Sequence, residues 1–327
     1  MSGAWEGRRV FVTGATGMVG SWLVKALLRA GAQVTALVLD ADPQSELYRS
    51  GDVGRVSVVN GALEDFRALE RGIVGQDADT VFHLGAQAIV ETAHRAPLAT
   101  FETNIRGTYN LLEVCRVHAD RVKRIVVASS DKAYGETADL PYRETMAMDG
   151  RHPYEVSKSC ADLLARSYHE SYGLPVGIAR CGNIYGGGDL HWDRIVPGTI
   201  RSLLRGERPI IRSDGSYVRD YLYVEDCVSG YMALGVALDR REFRGEAFNF
   251  STESWVTVRE IVTAIQKVMG RTDLDPIVQN QARGEIRSQS LSSEKARERL
   301  GWRAAFDLDA GLRDTVAWYE RFLGAAP

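Results

Sequence analysis

Tyr154 and Lys158 stand four residues apart in PYEVSK, shortly after SSDKAYG at Ser129 to Gly135. On a helix, positions i and i+4 share one face, so the Lys158 ammonium can lie beside the Tyr154 phenol and favour its ionised form. A phenol so activated serves as a base near neutral pH. The same spacing also arises on ordinary solvated helix faces, so the pair takes its meaning from the elements that would position it.

Those elements begin near the start of the chain. RRVFVTGATGMVGSWLVKALLRAGAQVTALVLD passes from an apolar stretch through a glycine turn into an amphipathic helix and a second apolar stretch, which is one βαβ unit. Gly14, Gly17 and Gly20 fit G-x-x-G-x-x-G. In that form they serve a tight turn, close backbone approach to a pyrophosphate, and packing of helix against strand. The helix N-terminus then offers free N–H groups and its positive dipole end to the phosphates. Asp40 closes the second strand about 20 residues beyond the last glycine, where a carboxylate would hydrogen-bond the adenosine ribose and repel a 2′-phosphate. This favours NAD over NADP. Asp42 competes for the role, and either residue could instead start the following turn.

RVSVVNG, DTVFHLGA and RIVVASS read as a third, fourth and fifth strand, LPVGIARCGNIYG as a sixth, with helical segments between them. Such alternation predicts an α/β fold, a doubly wound parallel sheet of the Rossmann type, with a smaller α/β substrate-binding lobe. The expected division is an NAD-binding domain over 1–182, with 219–252 returning to it, and a substrate lobe over 183–327, mainly 183–218 and 253–327. LATFETNIRGTYNLLEVCRVHA and YEVSKSCADLLARSYHESYG have apolar residues at helical spacing, and their outer faces could meet a second subunit.

Composition excludes several classes. The 43 acidic residues against 40 basic give no electrostatic footprint for nucleic acid. No segment approaches the roughly 18 apolar residues of a membrane span, and MSGAWEGRRV lacks a signal-peptide core, so a soluble cytoplasmic protein is expected. Cys115, Cys160, Cys181 and Cys227 are dispersed and read as buried reduced thiols. The six histidines form no metal-spaced cluster, so no metal is expected, and Ser129 and Ser130 lack a nucleophile-elbow context.

TGATGMVG, HLGAQ at His83 to Gln87, TNIRGTYNLLE around Asn104, PYEVSK and RDYLYVED at Arg219 to Asp226 together resemble the extended short-chain dehydrogenase/reductases that act on nucleotide sugars. SSDKAYG, GSWL and RCGNIYGGGD sharpen the resemblance to the 4,6-dehydratase branch acting on CDP-linked glucose. The resemblance implies cofactor contacts at Met18, Leu84, Ala86 and Asn104, and an adenine contact at Asp65, whose rival role is capping the next helix. It implies that Ser130 contacts the sugar O4, that Asp131 and Lys132 are the acid/base pair for elimination, and that Asn183 and Arg219 hold the diphosphate, with Arg194 and Arg287 as further candidates. Trp192 could stack on a base or anchor its loop. A homodimer is also implied.

The expected reaction is C4 oxidation of an NDP-hexose with NAD, Tyr154 taking the hydroxyl proton and Lys158 holding the tyrosinate. Loss of water across C5 and C6 and hydride return to C6 would follow. Lys132 is either the C5 base or an electrostatic stabiliser of the enolate. The runner-up is a UDP-sugar 4-epimerase, whose members usually carry small or hydroxyl residues at positions 131 and 132. A non-catalytic NAD-binding regulator and a net reductase using external NADPH complete the alternatives.

Overall fold

The computed structural model describes residues 2–281 and 286–324. Its strands are β1 (Arg9–Thr13), β2 (Gln33–Val38), β3 (Ser57–Asn60), β4 (Thr80–His83), β5 (Arg124–Ala128), β6 (Val176–Cys181), β7 (Asn183–Tyr185), β8 (Ile210–Ile211), β9 (Val218–Tyr223), β10 (Ala247–Phe250), β11 (Trp255–Thr257) and β12 (Ile277–Val278). Seven of them form a parallel sheet in the order β10-β6-β5-β4-β1-β2-β3. This is the doubly wound α/β fold expected from the alternation. The central strands, buried on both sides, are runs such as RVFVT, TVFH and RIVVA, as a parallel sheet covered on both faces requires. The winding reverses between β1 and β4, where Thr13 lies opposite His83. A crevice outside the carboxyl ends of these strands is where such sheets take ligands.

The helix Pro153–Tyr172 has Pro153 in its first turn, and the Glu155 carboxylate accepts from the N–H groups of Arg151 and His152 at 2.9 and 3.2 Å. Gly173, at φ +69°, ends it. The long run before β5 is broken where the sequence suggested continuity. It is helical over Pro97–Phe101, widens to a π turn at Glu102–Arg106 and resumes at Gly107–Val117.

The sixth strand is also split. β6 belongs to the large sheet, while β7 turns away after Gly182 and pairs with β9, which pairs in turn with β11. A side chain at Gly182 would meet the Asp220 carbonyl oxygen at 2.5 Å, so only glycine permits this close crossing. The segment expected to return to the large sheet as a whole, 219–252, therefore divides. β9 stays with the small sheet, and the chain re-enters the large one through the helix Val224–Ala237 and β10. Beyond Trp302, where no separate element was anticipated, a helix spans Leu308–Gly324. It buries Leu312, Val316, Trp318 and Tyr319 in the core of the lobe. The lobe is fastened to the large domain by Trp22 Nε1 donating to the Gly187 carbonyl (2.8 Å) and Trp318 Nε1 to Glu46 (2.9 Å). Among the described residues no helix is long and apolar enough to cross a membrane.

Candidate active site

Gly14 follows β1 at φ +71°, and an added Cβ would stand 2.7 Å from the Gly85 nitrogen. The two turns at the switch point touch backbone to backbone. At Gly20 a Cβ would lie 1.9 Å from the Gly14 carbonyl oxygen, so the third glycine seats the helix Met18–Arg29 on the turn itself rather than on a strand. Gly17 is the residue before the helix, and no side chain caps it among the described residues. An uncapped N-terminus beside a glycine cradle fits the pyrophosphate of a dinucleotide.

Asp40 is exposed two residues past β2, whereas Asp42 accepts from the Gln44 N–H at 2.8 Å and so belongs to the turn. Asp65 caps the helix Phe66–Ile73, Oδ1 accepting from Arg67 and Ala68 N–H at 2.9 and 3.1 Å. The rival role foreseen for it is thus filled.

A chain of hydrogen bonds underlies the crevice. Thr13 Oγ1 accepts from the N–H groups of Leu84 and Gly85, at 3.1 and 2.9 Å, and lies 2.9 Å from His83 Nδ1. His83 Nε2 is 2.9 Å from Thr108 Oγ1, which donates to the Asn104 carbonyl. With the Thr108 proton so used, Nε2 carries the imidazole proton and Nδ1 accepts from Thr13. Burial, aided by the Lys158 charge, pulls this imidazole down to about 3, so it is neutral. Asn104 turns inward from the π turn. Its Oδ1 accepts from Gln87 N–H (2.7 Å) and its Nδ2 donates to the Gln87 carbonyl and to Ser157 Oγ (3.0 and 2.9 Å). Its amide therefore fixes the HLGAQ turn to the helix that carries Tyr154. Ala86 lies half-buried on that turn.

Tyr154 and Lys158 are both buried on the helix Pro153–Tyr172. Lys158 Nζ donates to the Ala128 carbonyl at 2.9 Å, and burial pulls its ammonium from 10.5 down to about 8, against an opposing influence from Cys181. Burial pushes the Tyr154 phenol up to about 12. The Arg194 charge is the largest influence lowering it, Asp131 raises it, and hydrogen bonding with Ser130 lowers it. The lysine is held by the end of β5, and the Arg194 charge also bears on the phenol. Arg194 itself pairs with Asp189 at 3.0 Å.

Ser130 precedes the short 3-10 turn Asp131–Tyr134, accepts from Lys132 N–H at 3.2 Å and donates to Asp131 Oδ1 at 3.1 Å. Asp131 is wholly buried, and its Oδ2 has no hydrogen-bond partner among the described residues. Lys132 Nζ lies 2.9 Å from Asn183 Oδ1 and 3.5 Å from Asp131 Oδ1. The turn is pinned from behind. Ser159 Oγ donates to the Ala133 carbonyl (3.0 Å), and Arg180, paired with Asp162 through two bonds of 2.8 Å, donates to Tyr134 OH (2.7 Å). The sequence signal for this support was faint, since Arg180 and Asp162 lie 18 residues apart on different elements.

Arg219 is buried, its Nη1 donating to the carbonyls of Val218 and Arg287 at 2.9 and 3.2 Å, while the Arg287 side chain is exposed. Trp192 packs on Tyr319 and Phe322 with Arg201 over its ring, which is the anchoring role. Sequence reasoning passed over Asp220, a fully buried carboxyl group on β9 in the small sheet, next to Arg219. Its alternation with exposed-looking neighbours gave no hint of burial. Among the described residues no group of three or more His, Cys, Asp or Glu could hold a metal, and the four cysteines are free.

The model of the GDP-mannose 4,6 dehydratase family matches residues 11–315. A CDP-glucose 4,6-dehydratase of Salmonella typhimurium is 33% identical over 336 residues, covering 98% of this chain and 92% of that protein. The crystal structure of a dTDP-glucose 4,6-dehydratase from Streptomyces venezuelae with NAD bound has a TM-score of 0.86 and 29% identity, covering 97% of this chain and 98% of that one. A UDP-glucose 4-epimerase of Thermotoga maritima, solved with UDP-glucose, has a TM-score of 0.88 at 30% identity, covering 96% and 99%. Glycine cradle, buried Tyr154 and Lys158, and these likenesses over nearly the whole length agree: the chain belongs to the GDP-mannose 4,6-dehydratase family of extended short-chain dehydrogenase/reductases.

Proposed function

We propose that the chain is an NAD-dependent nucleotide-sugar 4,6-dehydratase that converts an NDP-hexose to the NDP-4-keto-6-deoxyhexose, with CDP-glucose the favoured substrate. The observation that carries this reading is the buried Asp131, with an oxygen left unpartnered, beside Lys132 in the turn next to Tyr154. An epimerase has no use for an acid and a base at C5 and C6. Gly14, Gly17, Gly20 and the start of the helix from Met18 would hold the NAD pyrophosphate, Asp40 its adenosine ribose, and the Leu84–Ala86 turn the neighbouring part. NAD supplies a hydride acceptor during oxidation and the matching donor when C6 is reduced.

Tyr154 takes the C4 hydroxyl proton, with Ser130 bonded to the same oxygen and Lys158 and Arg194 supplying positive charge. A C4 ketone acidifies the C5 proton. Asp131 is the acid for the departing C6 oxygen, and Lys132, 3.5 Å from it, is either the base at C5 or the charge that stabilises the enolate. Asn183 fixes the Lys132 side chain, and Arg219, with Arg194 and Arg287, would meet the diphosphate.

CDP rests on the 33% identity to the Salmonella enzyme, and cytoplasmic location on the four free thiols, three of them buried and Cys160, against expectation, only partly so, which suit a reducing compartment. A homodimer rests on Tyr109, Leu163 and Tyr172, exposed apolar side chains on the helices Gly107–Val117 and Pro153–Tyr172.

The test is incubation with NAD and CDP-, GDP-, UDP- and dTDP-hexoses, followed by mass spectrometry. Loss of one water without net NADH is expected for CDP-glucose. Unchanged mass with a new stereoisomer would replace this reading with the epimerase.

A further inference from the structure

Trp318 and Phe322 stand one turn apart on the helix Leu308–Gly324, their rings stacked with centroids 4.9 Å apart and planes 15° apart. Both reach out of the small lobe to the short helix Glu46–Arg49 of the large domain. Trp318 Nε1 donates to Glu46 Oε2 at 2.9 Å, and the Arg49 guanidinium lies over the Phe322 ring, 4.6 Å from its centroid. Glu46 is buried, and its other oxygen accepts from Lys25 Nζ on the helix that begins at the glycine cradle. Gly188, at φ +90°, packs on the same residue, an added Cβ there standing 3.3 Å from the Glu46 Cβ. A helix of four residues is too short to hold itself, so these contacts set its place.

The chain just before this helix is a closed turn. Asp42 Oδ1 accepts from Gln44 N–H at 2.8 Å, and the Asp42 carbonyl accepts from Ser45 N–H and Oγ at 3.1 and 2.9 Å. Leu39 and Asp40, which lead into the turn from the carboxyl end of β2, are exposed. Among the described residues none bonds the Asp40 carboxylate, so its position follows the backbone that the turn and the short helix hold.

We propose that Trp318 is a positioning residue for the dinucleotide: by holding Glu46 it fixes the turn that presents Asp40 to the adenosine ribose, and so sets the preference for NAD over NADP. A helix more than 250 residues further along the chain thereby takes part in choosing the cofactor. The proposal rests on the Asp40 contact inferred above and is independent of the dehydratase reading.

The test is calorimetric titration of the full chain, freed of bound dinucleotide, with NAD and with NADP. Trp318→Phe keeps an aromatic ring against Phe322 and every charge in place, and removes the N–H that Glu46 accepts. NAD affinity should fall by about tenfold, the order expected when a charged group loses one hydrogen bond. NADP affinity should fall less, because Asp40 no longer stands squarely against the 2′-phosphate, and the ratio of the two dissociation constants should narrow by about threefold or more. Hydrogen exchange on the unliganded protein gives a second readout. Amides of residues 40–49 should exchange faster in the variant, while those of β1 keep their native rate. Phe322→Leu, which loosens the Arg49 end of the same short helix, should narrow the ratio in the same direction and serves if Trp318→Phe does not fold.

If both affinities fall by one factor, or only the thermal midpoint drops, Trp318 has a structural part alone and the proposal is overturned. Asp40→Ala separates the two layers of the argument. A native ratio in that variant would remove Asp40 from the ribose and the proposal with it. If Asp40→Ala collapses the ratio and neither helix variant narrows it, the ribose contact stands and the role of Trp318 alone is refuted.

Discussion

Lys158 sets the conflict between stability and function at the scale of one residue. Burial depresses its value from 10.5 to about 8. A depressed group gives stability only above its unfolded value, and that stability is lost as pH falls through the folded one, so near pH 7 the fold carries a penalty. Lys158→Met should lose activity and yet raise the thermal midpoint at neutral pH. The gain should shrink between about 8 and 10.5, where the native lysine discharges. Calorimetry over that range checks the sign. Tyr154→Phe should abolish C4 oxidation, whereas Asp131→Asn combined with Lys132→Met should still accumulate bound NADH without eliminating water. Deoxy-ketosugar from the double variant at the native rate would remove Asp131 and Lys132 from the mechanism.

Among the elements, the glycine turn makes the sharpest demand. Gly20→Ala would force a methyl to 1.9 Å from the Gly14 carbonyl, so the helix Met18–Arg29 must move off the cradle. NAD affinity measured by calorimetry should fall by at least tenfold, about 1.4 kcal/mol. Much of this part was legible in sequence because local rules govern it: apolar runs for parallel strands, glycines for a turn, Pro153 and Gly173 for the ends of one helix. What escaped depends on contacts distant in sequence. The break at Gly182 answers to Asp220, 38 positions on in the chain, and the inward turn of Asn104 comes from a π turn that apolar periodicity does not encode. Lys158 reached the expected face of its helix, but its partner is a carbonyl on β5. The helix Leu308–Gly324 does carry a signal, with Leu312, Val316 and Tyr319 at helical spacing, and it is the element a closer reading of periodicity would have found.

For the molecule as a whole, the tie between the lobe and the large domain includes the hydrogen bonds of Trp22 to Gly187 and Trp318 to Glu46. The helices Gly107–Val117 and Pro153–Tyr172 present Tyr109, Leu163 and Tyr172 to solvent, the surface proposed above for a second copy. Leu163→Glu with Tyr109→Glu should yield a monomer in sedimentation equilibrium while leaving the fold intact by circular dichroism. A native chain that sediments as a monomer would refute the dimer.

The crossing at Gly182 has an implication for protein engineers. One residue separates the strand ending at Cys181 from the strand beginning at Asn183, and Asn183 is also the group that receives the Lys132 amine. The small lobe and the turn that carries Lys132 thus share a joint with no slack. A chimera that borrows this lobe from a relative should misalign Lys132 unless the exchange carries Gly182, Asn183 and Asp220 together, so the lobe is better altered by changing side chains within it than by grafting it.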